Sequence, residues 1–314
     1  MENNRRKFIK QFVKGAAVAG AGLWLPSSLL AQGSDVTKIT ILHTNDTHSH
    51  IEPFPADHPR FAGMGGVSRR KALVDSIRAK EDNVLLLDAG DIFQGTPYFN
   101  FFKGKIEFQA MSQMKYDAAT IGNHDFDNTI DGLEAMLPYA NFPFLSANYD
   151  FSNTVMDGKT KPYKVFEKGG IKIGVFGVGI ELEALVAKSC YKETVYLDPI
   201  EAAQTYTKKL KEEEKCDLVI CLSHLGYKYD REPNKISDVK LAAVTQDIDL
   251  IIGGHTHTFL KEPTVIKNAA EKEVLVTQVG FAGIQLGRVD FYFQNNSRQK
   301  LAWQGRHHNN YEIV

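Results

Sequence analysis

"IGNHDFDN", residues 121–128, follows the apolar run "AAT" and carries far more polarity than a turn requires. Gly122 and Asn123 would suffice to reverse the chain. His124, Asp125 and Asp127 add an imidazole and two carboxylates directly beyond a strand-like segment. In open α/β sheets the loops beyond the carboxyl ends of strands converge over a rigid scaffold, and ligands bind there. The stretch therefore raises two expectations together, a strand ending near residue 123 and a site at its end.

Working outward, similar apolar runs recur at 38–44, 83–90, 142–148, 172–178, 217–224 and 248–255, and with 118–123 they read as buried strands. Helical spacing fills much of the intervals, at 67–78, 106–114, 131–139, 199–214 and 236–245. Asp198 before Pro199 supplies an N-cap followed by Pro at the first helical position. The alternation predicts an α/β core with mostly parallel or mixed sheets. Beyond residue 258 the pattern changes to strands alone, in "KEVLVTQVG", "IQLGRVDFYFQ" and "KLAWQG". No linker or repeat marks a second domain, so 32–314 is expected to form one catalytic domain.

Five strand ends carry His, Asp or Asn: "HTNDTHSH", "DAGD", "GNHDFD", "SHLG" and "GGHTHT". Singly, a histidine or aspartate at a strand end is ordinarily structural, or a helix cap. Jointly they point elsewhere. Asp46 and His48 stand two apart, so in extended chain they share a face and can grip one ion. His255 and His257 repeat that spacing, Asp91 is placed to reach the centre, Asn123 adds a neutral oxygen and His224 another imidazole. Seven oxygen and nitrogen donors without a thiolate suit two divalent ions, with manganese, zinc, iron and cobalt all compatible. Two such ions close together generate a nucleophilic hydroxide and clamp an in-line displacement. His124 is expected to face the leaving group with Asp127 holding its tautomer. Asp125, His43 and His50 are expected in supporting or capping roles.

With these residues in order, the chain resembles the calcineurin-like metallophosphoesterases, and within them the 5'-nucleotidase / UDP-sugar hydrolase branch. The resemblance runs from about residue 37 to 293. It rests on D-x-H at Asp46 and His48, G-D at Gly90 and Asp91, G-N-H-D at Gly122 to Asp125, the downstream Asp127, the lone His224, and G-H-x-H at Gly254 to His257. It implies a four-layer αββα sandwich of two mixed β-sheets flanked by helices, with a dinuclear centre. One metal would take Asp46, His48 and His257, the other Asn123, His224 and His255, with Asp91 bridging and His124 and Asp127 as the catalytic pair. The substrate it implies is a nucleoside monophosphate, with UDP-sugars and cyclic nucleotides behind it and a sulfate thiohydrolase-type sulfur-ester reaction as the alternative. Secreted members of the branch carry a second domain that binds the base and the phosphate. A separate substrate-binding protein docking on the aromatic segment Tyr98, Phe99, Phe101 and Phe102 would fill that role, although core packing is the first expectation for those rings.

Composition bounds the remaining possibilities. A formal net charge of −1 over 314 residues gives no electrostatic footprint for a nucleic-acid polymer. Residues 1–31 open with Arg5 and Arg6, continue into a Gly/Ala-rich apolar run too short for a comfortable membrane span, and close on small residues. That order predicts a twin-arginine-type signal, export to the periplasm, and a mature chain starting near Gln32. Cys190, Cys216 and Cys221 imply no disulfide framework. "RHHNNYEIV" at the end reads as an exposed tail.

Overall fold

The first strand, β1 (Val36–Thr44), sorts its side chains between two layers, because successive residues of a strand point to opposite faces. Ile39 and Ile41 enter one apolar cluster and Leu42 another. The computed structural model describes residues 36–295 and 297–309, so the signal expected at 1–31 lies outside it. β1 runs parallel to β2 (Val84–Asp88), which in turn pairs with the two-residue β3 (Ala118–Ala119). A two-residue ladder joins β4 (Tyr149–Asp150) to β7 (Val195–Tyr196) elsewhere in the chain.

A second sheet is built from β5 (Tyr163–Lys168), β6 (Ile171–Gly179), β8 (Leu218–His224), β9 (Leu250–Gly253), β10 (Thr264–Lys267) and β11 (Glu273–Thr277). Its order is β10-β11-β9-β8-β6-β5, parallel at the centre and antiparallel at both edges. The chain then returns to the first sheet. β12 (Gln285–Gln294) lies antiparallel to β1 and β13 (Gln299–Asn309) antiparallel to β12, giving the order β13-β12-β1-β2-β3.

The two mixed sheets face each other. Ile39, Leu87 and Phe291 of the first pack against Val175, Ile220 and Ile252 of the second in one buried cluster. Helices α1 (Val67–Arg78), α2 (Pro97–Phe102), α3 (Lys105–Gln113) and α4 (Thr129–Met136) cover the outer face of the first sheet through Leu73, Phe99, Phe108 and Leu133. Past the short α5 (Lys188–Tyr191), α6 (Pro199–Glu212) and α7 (Asp238–Val244) cover the second through Ala203, Leu210 and Leu241. The layers are therefore α, β, β, α. Helix α6 starts as the sequence predicts, with the Asp198 carboxylate accepting the amides of Ile200 at 2.7 Å and Glu201 at 3.2 Å.

Several expectations change. Residues 142–148 form no strand: Phe144 bridges to Ala119, Leu145 to Lys161, and the Ala147 amide donates to the Gly177 carbonyl. Each residue finds a different neighbour as the segment crosses between sheets, so no ladder propagates, although its side chains are core. β5 and β10 were not expected because their side chains stay half-exposed and produce no apolar run. Of the aromatic segment only Phe99 is core; Phe101 is 80% and Phe102 46% exposed, so packing does not account for them. Residues 306–309 of the expected tail are instead the end of β13, where His307 Nε2 lies 3.1 Å from the Thr277 hydroxyl beside His43, and the rest of that tail lies outside the described residues. Cys190, Cys216 and Cys221 are free thiols.

Phe291 lies wholly buried between the sheets. Phe291→Ala should cost about 3–5 kcal/mol, read as a lowered midpoint of urea unfolding at unchanged slope. A loss too small to move the midpoint would contradict the inter-sheet packing.

Candidate metal centre

All five polar loops leave the carboxyl ends of parallel strands: β1, β2 and β3 in one sheet, β8 and β9 in the other. Both sheets therefore deliver donors to one rim. Asp46, His48 and His257 form one group whose ligand atoms converge, and Asp91, His224 and His255 form a second. In the first, His257 Nε2 lies 3.0 Å from His48 Nε2 and 3.3 Å from Asp46 Oδ1. In the second, His224 Nε2 lies 3.0 Å from Asp91 Oδ2, and Asn123 joins through its Oδ1, 2.8 Å from His255 Nδ1. Asp91 Oδ2 is also 3.9 Å from His48 Nε2, which puts this carboxylate between the groups.

Backbone contacts fix these side chains. The amides of Asp46, His48 and Ser49 donate to the carbonyls of Gly90, Asp91 and Ile92 at 2.9, 3.1 and 2.9 Å, so the first loop is zipped onto the second. The second is clamped by Asp125, whose carboxylate accepts the amides of Asp91, Ile92, Phe93 and Gly122 at 2.8–3.1 Å. Burial, and after it the charge of Asp91, push the Asp125 carboxyl up to about 7 against the pull of these donors. The glycines follow from crowding. A Cβ on Gly122 would lie 2.2 Å from Asp91 Oδ1, and one on Gly254 would lie 2.7 Å from His224 Nδ1.

The expected extended geometry of the D-x-H and H-x-H pairs is not what brings them together. Asp46, His48, Asp91, His255 and His257 all have left-handed backbones, with φ of 50, 47, 55, 70 and 51°. Such a conformation costs a residue with a Cβ about 1–2 kcal/mol. Its concentration on these five side chains is the strain pattern of a functional site held by its surroundings. The loops turn their side chains inward at every second residue by tight left-handed turns rather than by strand pleat.

The ring nitrogens are oriented for a cation. The His48 Nδ1–H donates to the Phe93 carbonyl at 3.1 Å and the His224 Nδ1–H to the Ala89 carbonyl at 2.7 Å, leaving each Nε2 lone pair aimed inward. His224 Nε2 is fully buried and makes no aligned hydrogen bond despite its nearness to Asp91. Burial works to raise the Asp91 carboxyl, but the imidazoles of His224, His48 and His124 overcome it and hold it well below the usual carboxylate range. Burial works to lower the His224 imidazole, but where no ion is bound Asp91 and Asp46 lift it to about 10, so that a proton then holds the Nε2 lone pair a bound ion would take. Burial lowers His48, and it lowers His255 to about 4. Two buried carboxylates, converging lone pairs and an orphaned imidazole nitrogen call for positive charge at the centre, and a pair of divalent ions fits that donor set.

His124 stands at the edge of the centre. Its ring is 5.3 Å from that of His48, its amide donates to Asp91 Oδ1 at 2.8 Å, and its Nδ1 is 2.8 Å from Asp127 Oδ2. That hydrogen bond, more than the opposing burial, raises its pKa. Neither His43 nor His50 enters either group: His43 is buried beside His307, and His50 packs 4.7 Å from the ring of Phe54. Two amides escaped the sequence reading. Asn45 Nδ2 donates to Asp46 Oδ2 and to the Gly280 carbonyl at 2.6 and 2.7 Å. Gln278 Nε2 donates to the Gly254 carbonyl at 2.6 Å. Asn45 adjoins the D-x-H motif and could have been suspected, whereas nothing in "VTQVG" singles out Gln278.

Comparisons with known proteins bear on the family of the chain. Residues 39–259 match the model of the calcineurin-like phosphoesterases. The snake venom 5'-nucleotidase of Crotalus adamanteus is 34% identical over 295 residues, covering 87% of this chain and 48% of that protein. The crystal structure of a 5'-nucleotidase precursor from Thermus thermophilus superposes with a TM-score of 0.78 at 35% identity, covering 87% of this chain and 54% of that one. The chain thus spans about half the length of these relatives. A sulfate thiohydrolase from Thermus thermophilus, at 17% identity and a TM-score of 0.70 over 87% of this chain and 56% of that one, shares the fold alone. The chain belongs to the calcineurin-like phosphoesterase family, whose members are divalent-metal-dependent phosphoester hydrolases.

Asp125→Asn tests the clamp, because an amide nitrogen would meet backbone N–H groups that now find an acceptor. The purified variant should remain folded by circular dichroism yet bind fewer than two ions per chain by elemental analysis. Full metal loading would show that Asp125 does not hold the Asp91 loop.

Proposed function

We propose that the chain hydrolyses nucleoside 5'-monophosphates, with UDP-sugars and cyclic nucleotides as secondary candidates. The observation that carries this reading is the placement of Asp91 between two donor groups with His124 at their edge. In the proposal Asp46, His48 and His257 hold one divalent ion, Asn123, His224 and His255 hold the other, and Asp91 touches both. Manganese, zinc, iron or cobalt suits these donors. Bound there, such ions would supply Lewis acidity to the phosphoryl group and an activated water for in-line displacement. The nucleotide as substrate is supported by the relatives named 5'-nucleotidases, and the sulfur-ester alternative is not carried forward.

The remaining work falls to the chain's own side chains. Asp127 occupies His124 Nδ1, so the proton that His124 can deliver sits on Nε2. The Asp127 hydrogen bond, against the opposing burial, raises the pKa of His124 and so favours the protonated ring. His124 Nε2 hands the proton to the departing alcohol oxygen, which a nucleoside needs because its 5'-alkoxide is a poor leaving group. Before that transfer Asp127 stabilises the imidazolium, and throughout it fixes the ring's direction.

In the same reading residues 32–314 are the catalytic domain of a protein exported through the twin-arginine-type signal at 1–31 and working in the periplasm. Among the described residues no helix is long and apolar enough to cross a membrane. A separate protein bearing base- and phosphate-binding side chains would dock on α2, whose Phe101 and Phe102 are exposed beside Tyr98, itself bonded to Glu52 at 3.1 Å.

Phosphate release from AMP and from p-nitrophenyl phosphate separates these roles. His124→Ala should lower kcat on AMP by about 10²–10⁴-fold and much less on p-nitrophenyl phosphate, whose leaving group needs no proton. Equal losses on both esters would remove His124 from the acid role. No AMP turnover by the wild-type protein, with the aryl ester still cleaved, would overturn the nucleotide as substrate. Phe101→Ala with Phe102→Ala should abolish co-purification of a partner from its native source, and an unchanged set of bound proteins would refute docking at α2.

A further inference from the structure

Directly behind the turn that carries Asp46 and His48 lies a small chamber of about 10 Å³, lined by Thr47, Ser49, His50, Arg70, Ile92 and Glu107 among others. Its walls are unusual in their chemistry. Arg70 of α1 and Glu107 of α3 are each more than nine-tenths buried, yet the Arg70 Nε and Nη1, both Glu107 oxygens and the Ser49 hydroxyl have no aligned hydrogen-bond partner among the protein's own groups. Arg70 and Glu107 make no direct ion pair across the chamber among the described residues. Buried polar groups left in this condition are strongly disfavoured, and a buried charge more so.

The volume matches about one water molecule, and the walls offer the donors and acceptors that a buried water needs. A polar contact too long to be direct, between a guanidinium and a carboxylate, is the setting in which a water bridge replaces an ion pair. On its other side the guanidinium lies beside Gly283, where a Cβ would come within 2.5 Å of Nη1. Burial raises the Glu107 carboxyl against the pull of the nearby Ser49 hydroxyl.

We propose that this chamber seats one ordered water joining the Glu107 carboxyl, the Arg70 guanidinium and the Ser49 hydroxyl, and that Arg70 and Glu107 are thereby positioning residues for the turn bearing Asp46 and His48. The turn needs such support. Asp46, His48 and Ser49 all have left-handed backbones; the Asp91 loop holds all three, the Ala282 amide donates to the Asp46 carbonyl at 2.7 Å, and the Thr96 hydroxyl donates to the Ser49 carbonyl at 2.7 Å. The bridged water ties the same turn to α1 and α3, the two helices behind it. The effect falls on the donor group of Asp46, His48 and His257, and leaves the group of Asp91, His224 and His255 on its own clamp. This inference rests on the ligand assignment proposed above.

Two experiments test it. A crystal structure of the protein should show one water within hydrogen-bonding distance of Glu107 and Arg70, and a dry chamber with a direct Arg70–Glu107 pair would overturn the proposal. Manganese titration by calorimetry gives the second readout. In a His255→Ala background, which leaves the Asp46 group intact, Arg70→Met with Glu107→Leu should raise the dissociation constant roughly 10–100-fold. In a His257→Ala background the same pair of substitutions should leave it nearly unchanged, and Glu107→Gln, which keeps a hydrogen-bonding group, should leave it nearly unchanged in both. No weakening, or equal weakening in the two backgrounds, contradicts a positioning role. If neither His255→Ala nor His257→Ala removes a manganese site, the ligand assignment has failed, which is a separate failure from that of the chamber.

Discussion

Four backbone N–H groups converge on one buried carboxylate, that of Asp125, and the placement of Asp91 follows from this. Asp125 lies on the loop after β3, while three of the amides it accepts belong to the loop after β2. The clamped loop presents its carbonyls to the amides of Asp46, His48 and Ser49, so a third loop is registered on the second. From the other sheet, His224 is oriented by the Ala89 carbonyl, just before Gly90 and Asp91. The His255 amide approaches both oxygens of Asp46 at 3.0 and 3.1 Å. Donors from two sheets are thus aligned by a chain of backbone contacts that begins at Asp125.

This arrangement stores strain and charge in the same place. Left-handed residues, buried carboxylates and facing imidazole lone pairs are each unfavourable alone. They are tolerable together where cations complete the centre and the backbone network prevents relaxation. The four-layer sandwich serves this end, since two sheets packed face to face bring the carboxyl ends of β1, β2, β3, β8 and β9 to a common rim.

Much of this was legible in the sequence, for physical reasons that can be named. Buried central strands read clearly because both faces are apolar, as in "DLVICLSH", and polar residues at their ends stand out against that background. The layer architecture came with the family resemblance carried by those motifs. What stayed hidden depends on partners distant in the chain. Gln278 acts through a carbonyl on the 254–258 loop, and residues 142–148 keep a strand-like composition while changing neighbour at each step. β5 and β10 lack an apolar run because one face meets water. The pairing of Asp46 with His48 was anticipated from strand alternation, whereas left-handed turns produce it, a distinction that residue spacing cannot express. Phe101 and Phe102 read as core from composition alone, whereas the structure buries Phe99 and leaves the other two rings exposed.

The most direct measurement is anomalous diffraction from crystals of the protein grown with manganese. The account predicts two peaks flanking the Asp91 carboxylate, one contacted by Asp46, His48 and His257 and the other by Asn123, His224 and His255. A single peak, or peaks away from Asp91, would contradict a dinuclear centre built on that residue.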